Sequence, residues 1–139
     1  MQIKTKDVRE GAKTGQEVWI CHYLRPDLNK KPLRNIPPTK VLIQSNDALP
    51  KNKTVYYSHT HFVPISKSGK VLARIISPVD NTGYRMLAGN ELNIFTTEKE
   101  CISKWNEEVD LVCSKLEAKE LSAAQQWRLQ KEALLNTKV

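Results

Sequence analysis

The sequence predicts an α+β protein, a small five-stranded antiparallel barrel followed by one or two C-terminal α-helices. Three observations carry that expectation. Between residues 17 and 96, short runs rich in β-branched and aromatic residues recur at even spacing, separated by turn-forming Gly, Pro, Asn and Asp. After Thr97 the period changes, and apolar residues recur at steps of three and four. A chain of 139 residues also suits one domain whose core needs no disulfide staples.

In chain order, residues 1–16 are polar and carry Gly11 and Gly15, which predicts a flexible N-terminal arm leading to a turn. "EVWICHY" (residues 17–23) is bounded by Gly15 and Pro26 and reads as the first strand. "RPDLNKKPLRNIPP" (25–38) holds four prolines and four basic residues, so an exposed basic loop is expected there. "TKVLIQS" (39–45) reads as the second strand and "TVYYSHTHFVPI" (54–65) as the third. "SKSGK" is a hairpin-type connection to a fourth strand, "VLARIIS" (71–77), and "ELNIFT" (91–96) is the fifth. These strands define a barrel over 17–96, and 97–139 form a helical segment.

Thr97 with Glu100 fits a capping box, and Ile102, Trp105, Val109, Val112 and Leu116 lie on one helical face that should pack on the barrel. Beyond Leu116 the same register meets Lys119, Gln126 and Gln130. Either a second helix starts near Ser122 or one long helix projects into solvent.

Charge is unevenly spread. Residues 1–85 hold 15 Lys and Arg against 6 Asp and Glu, whereas residues 86–139 hold 7 against 9. A positive field over the first part of the chain favours polyanions, nucleic acid above all. The three cysteines form no CxxC pair and read as free thiols of a reducing compartment. No apolar run approaches the roughly 18 residues of a membrane span, and the N-terminus lacks a signal-peptide core, so a cytoplasmic protein with no membrane contact is expected.

The stretch "VYYSHTHFV" (55–63) concentrates imidazole and phenol rings. Strand alternation would put Tyr57, His59 and His61 on one side and Tyr56 on the other, so that one tyrosine of the pair points inward. With His22, the two histidines could in principle hold zinc, but no acidic residue or cysteine supports "HTH" at short spacing, and no metal or other cofactor is expected. A metal-independent ribonuclease using His59, His61, Tyr57 and Arg74 is conceivable chemically, yet no paired carboxylates or catalytic spacing accompany them. "PVDNTGYR" (78–85) reads as a tight connection that could instead present Tyr84 and Arg85 to a ligand. No phosphate-loop motif is present.

"GQEVWI" followed about twenty residues later by "PTKVLI" resembles the first two strands of SH3-like small barrels, including the KOW type of transcription- and ribosome-associated proteins, over residues 15–77. In style, a small lysine-rich barrel plus helix also resembles host-takeover proteins of large tailed phages. The resemblance implies an SH3-like fold and a regulator of host transcription or nucleic-acid metabolism; it assigns no functional residue.

The residues themselves point to a non-catalytic protein that binds DNA or RNA with a basic loop face. Lys30, Lys31, Arg34, Lys40, Lys51, Lys53, Lys67, Lys70, Arg74 and Arg85 would reach phosphates, and Tyr56 or Tyr57 would stack a base. The alternative is a protein-interaction module or inhibitor that docks on an acidic surface, with a host protein engaged through the C-terminal helix.

Overall fold

The computed structural model describes residues 1–24, 36–79 and 92–138. It is an α+β structure in which one five-stranded antiparallel sheet is followed by a long helix. The elements are β1 (Gln2–Ile3), α1 (Thr5–Arg9), β2 (Glu17–Cys21), β3 (Thr39–Ser45), a 3-10 turn (Asn46–Ala48), β4 (Thr60–Pro64), β5 (Asn93–Phe95) and α2 (Glu98–Leu135). Strand order is β1-β5-β2-β3-β4, so the last strand inserts between the first two and ties both ends of the sheet's sequence together.

Alternation sorts the side chains. Val18, Ile20, Val41, Ile43, Phe62 and Ile94 share one face, where Ile3 of β1, Val8 of α1, Ile76 and Leu92 join them in a dry core. Cross-strand partners agree with this sorting: Ile3 lies opposite Ile94, Ile94 opposite Ile20, and Ile43 opposite Phe62. The opposite face carries Trp19, Cys21 and Phe95, on which Cys101 and Trp105 of α2 pack. There the Cys21 thiol is hydrogen-bonded to the Cys101 carbonyl at 3.9 Å. The hydrogen bond with Cys21, and then burial, push the Cys101 thiol well up, which keeps it protonated and unreactive. All three cysteines are free thiols.

Two expectations for the strands are corrected. The flexible arm is not one: its residues form β1 and α1 and contribute Ile3 and Val8 to the core. The fourth strand is replaced by two isolated bridges, Phe62 with Ile76 and Ile65 with Val71. "VLARIIS" has strand composition, but only Ile76 is buried, while Val71 and Leu72 are exposed and gain nothing from a longer ladder. The expected fifth strand survives as three residues, and the count of five is restored by β1.

The helix begins as expected, with the Thr97 hydroxyl accepting the Glu100 N–H at 3.4 Å and donating to the Glu100 carboxylate at 2.7 Å. It is one continuous element of 38 residues. Its docked stripe is rotated from the expected seam: Cys101 and Glu108 are buried, Trp105, Val109 and Val112 are half-buried, and Ile102 and Leu116 are 40% and 44% exposed. The reason is polar. Glu108 accepts the Leu24 N–H at 2.6 Å and pairs with Lys104 at 3.6 Å, which turns that side of the helix toward the sheet. From Cys113 to Leu135 only Ala123 is even half-buried, so the helix projects by roughly 35 Å. No helix among the described residues is long and apolar enough to cross a membrane.

Candidate nucleic-acid interface

The short helix α1 has no side-chain cap, and its docking supplies what local propensity lacks. Thr5 and Val8 face inward, while Lys4, Lys6 and Glu10 face solvent and Arg9 is half-buried. At its C-terminal end the helix is sewn to the approach of β4. The His59 N–H donates to the Arg9 carbonyl at 2.8 Å, Arg9 Nε donates to the Tyr57 carbonyl at 2.8 Å, and the Thr60 hydroxyl donates to the Val8 carbonyl at 2.5 Å. From the other side, Asn46 Nδ2 donates to the Ser58 carbonyl at 2.7 Å and its backbone N–H to the His59 carbonyl at 3.0 Å.

This stitching fixes an unusual backbone. Tyr57 has φ of 62°, the left-handed region that a ring-bearing residue avoids at a cost of about 1–3 kcal/mol. The extended strand begins only at Thr60, so the alternation expected across residues 55–63 does not apply. Both tyrosines are outside, Tyr56 at 57% and Tyr57 at 63% exposure, with ring centroids 6.5 Å apart. The expectation that one of them points inward is therefore corrected.

His59 is exposed but His61 is not. His61 Nδ1 lies 3.1 Å from Asn46 Oδ1 and Nε2 lies 3.2 Å from the Gln44 carboxamide. Both neighbours present an oxygen to the ring, Asn46 because its NH₂ is committed to Ser58, so the neutral imidazole donates to one of the two at a time. Burial pushes the His61 imidazole below its ordinary 6.5, because the charged ring loses water. In the window below 6.5 the unfolded chain binds this proton and the folded chain resists it. The contribution to stability is therefore complete above 6.5 and is lost as pH falls toward the folded value. The urea midpoint of the wild type should accordingly fall between about pH 7.5 and pH 5 more than that of His61→Gln; parallel pH profiles would disprove the assignment. The third histidine, His22, accepts the Ile36 N–H at 2.6 Å through Nδ1. Among the described residues no group of three or more His, Cys, Asp or Glu is placed to hold a metal.

Three open clefts adjoin α1, residues 53–59, or both. One of about 540 Å³ is lined by Lys6, Arg9, Glu10, Tyr57, Ser58 and His59. A second, of about 560 Å³, shares Lys6 and Arg9 and extends past Lys4 to Tyr23 and Asn93. A third, of about 440 Å³, brings Lys53 together with Arg74 beside Val55 and Ile75. Lys6 and Arg9 line both the first and the second, while residues 53–55 line the third and 57–59 the first, so one short segment carrying the exposed tyrosines links the two in the chain.

Of the expected contact residues, Lys53, Tyr56, Tyr57 and Arg74 fall on or beside these clefts. Lys51 is exposed in the adjoining turn, and Lys67 and Lys70 are exposed in the turn closed by the Gly69 N–H to Ser66 carbonyl bond, outside the three clefts described. Lys40 is engaged with Glu17 of the neighbouring strand at 3.2 Å. Lys30, Lys31, Arg34 and Arg85 lie outside the described residues. The first two clefts are also lined by Lys4, Lys6, Arg9, Tyr23 and His59, which the expected contact list did not name. For Lys4, Lys6 and Arg9 the signal was "IKTKDVRE", in which Ile3, Thr5 and Val8 turn inward, Lys4 and Lys6 are left outside and Arg9 is half-buried.

No family model matches this chain, and no curated protein or solved structure matches it either.

Proposed function

We infer that this chain is a non-catalytic nucleic-acid-binding protein, acting in the cytoplasm, that holds DNA or RNA along the surface running from α1 across residues 53–59 to Arg74. The reading rests on one observation, the meeting of Lys4, Lys6 and Arg9 with exposed Tyr57 and His59 at adjoining clefts. Long cations around exposed rings combine phosphate neutralisation with stacking, the two contributions that non-specific nucleic-acid binding needs. The pairing of β2 with β3 supports a finer description of the sheet as an SH3-like small barrel. Against a ribonuclease stands the engagement of both His61 ring nitrogens inside the protein, which removes one of its two imidazoles from any substrate.

The test is a titration of labelled single-stranded DNA and RNA between about 50 and 200 mM salt, where counterion release gives a linear fall of log K with log salt. The double variant Lys4→Ala, Lys6→Ala should make that slope shallower by roughly 1.5 to 2 while leaving the urea midpoint nearly unchanged, since both side chains are exposed. An unaltered slope would take α1 out of the interface. A second reading, a protein-interaction module, is favoured by the distal part of α2, where Trp127 is 72% exposed and Leu121, Leu129, Leu134 and Leu135 are exposed with it. Affinity insensitive to salt and to nucleic acid, with a partner protein bound through that helix, would select it.

A further inference from the structure

We propose that the cleft formed by Lys6, Arg9, Glu10, Tyr57, Ser58 and His59 takes an unpaired base, so that the protein selects single-stranded nucleic acid over duplex. The inference rests on the nucleic-acid reading above and specifies which form of nucleic acid the same surface accepts. Three features point there.

The Tyr57 ring is held outward at 63% exposure on a backbone of φ 62°, two costs set against one ring contact with the equally exposed Tyr56. It persists because the neighbours over-determine it: Arg9 Nε holds the Tyr57 carbonyl, the Arg9 carbonyl holds the His59 N–H, and Asn46 holds Ser58. With the backbone fixed, only the two side-chain torsions of Tyr57 are left to be ordered when a base stacks on the ring.

The charge inside the cleft is mixed. Glu10 lines it together with Lys6, to which it is paired at 4.0 Å. A carboxylate repels a phosphate but accepts hydrogen bonds from the N–H groups of a base edge. The cleft interior thus suits a base, and phosphates suit its cationic rim, where Arg9 and Lys6 lead on to Lys4. In a duplex the base faces are taken up by stacking and the Watson–Crick edges by pairing, so neither a free face for the Tyr57 ring nor a Watson–Crick N–H for Glu10 is offered to the cleft.

Size agrees as well: about 540 Å³ falls in the range of clefts that accommodate small ligands, roughly 300–1,000 Å³.

Fluorescence anisotropy with a labelled single strand of about 12 nucleotides, and with the same strand in duplex, tests the inference in the full chain. Wild type should bind the single strand more tightly, and Tyr57→Phe, which keeps the ring, should bind like wild type. Tyr57→Gly removes the ring and relieves the left-handed strain, so a loss cannot be attributed to unfolding, which a urea titration verifies. It should weaken single-strand binding roughly 5- to 150-fold and change duplex binding less than about twofold. Equal wild-type affinity for strand and duplex, or a Tyr57→Gly variant that binds the strand unchanged, would overturn the inference while leaving the nucleic-acid reading in place. Binding of neither would remove both.

Discussion

A chain lacking residues 1–9 is expected to lose cooperative unfolding altogether. The deletion removes β1 from its pairing with β5, at Gln2 opposite Phe95 and Ile3 opposite Ile94. It also takes Ile3 and Val8, both buried, out of the core and uncovers Ile94 and Phe62. Large-to-small changes at single buried aliphatic sites cost about 1–5 kcal/mol, and here two side chains go together with the carbonyls that accept the His59 N–H and the Thr60 hydroxyl. That total approaches the 5–15 kcal/mol by which domains are ordinarily stable, roughly speaking. Urea unfolding followed by tryptophan fluorescence should change from a sigmoid to a gradual drift. A sharp transition at the wild-type midpoint would return these residues to the status of a dispensable arm.

Phe62→Ala should destabilise the protein by about 3–5 kcal/mol. The ring is fully buried at the middle of β4, lies opposite Ile43, and its residue exchanges both backbone hydrogen bonds with Ile76, at 2.8 and 2.9 Å. Truncation leaves a cavity between the sheet and the segment carrying Ile76, and the paired backbones on both sides limit how far the walls can collapse into it. Ile102→Ala is the contrast: the same kind of change on an apolar residue that is 40% exposed should cost much less, on the order of 0.5 kcal/mol. Equal midpoints for the two variants would contradict the placement of the core.

The contrast between Phe62 and Ile102 shows where sequence patterns carry information and where they stop. β2 and β3 were legible because Val18, Ile20, Val41 and Ile43 alternate with less buried neighbours, a period set by strand geometry alone. α2 was legible from Thr97 and the three-four spacing. Its exact docked stripe was not, because Glu108 is turned inward by the Leu24 N–H, a group 84 residues away in sequence. β1 is two residues long and α1 five, too short for any period to register, and both form because the core receives Ile3 and Val8. "VLARIIS" carried strand composition without strand partners, since composition reports what a residue tolerates and not which edge is offered to it.

The candidate site divides along the same line. Charge asymmetry, the aromatic stretch at residues 55–63 and the suitability of Lys53, Tyr56, Tyr57 and Arg74 for a polyanion follow from the amino-acid sequence by itself. That both tyrosines face outward was decided by the left-handed turn at Tyr57, which breaks the alternation a continuous strand would impose. That Lys4, Lys6 and Arg9 stand beside them was decided by hydrogen bonds from Arg9 to Tyr57 and from His59 back to Arg9, across 48 and 50 positions of chain. Local sequence sets which face of an element a side chain occupies, because that depends on the repeat of the backbone. Which elements then lie side by side depends on burying Ile3, Val8 and Phe62 in one common core, and only the tertiary structure makes that choice.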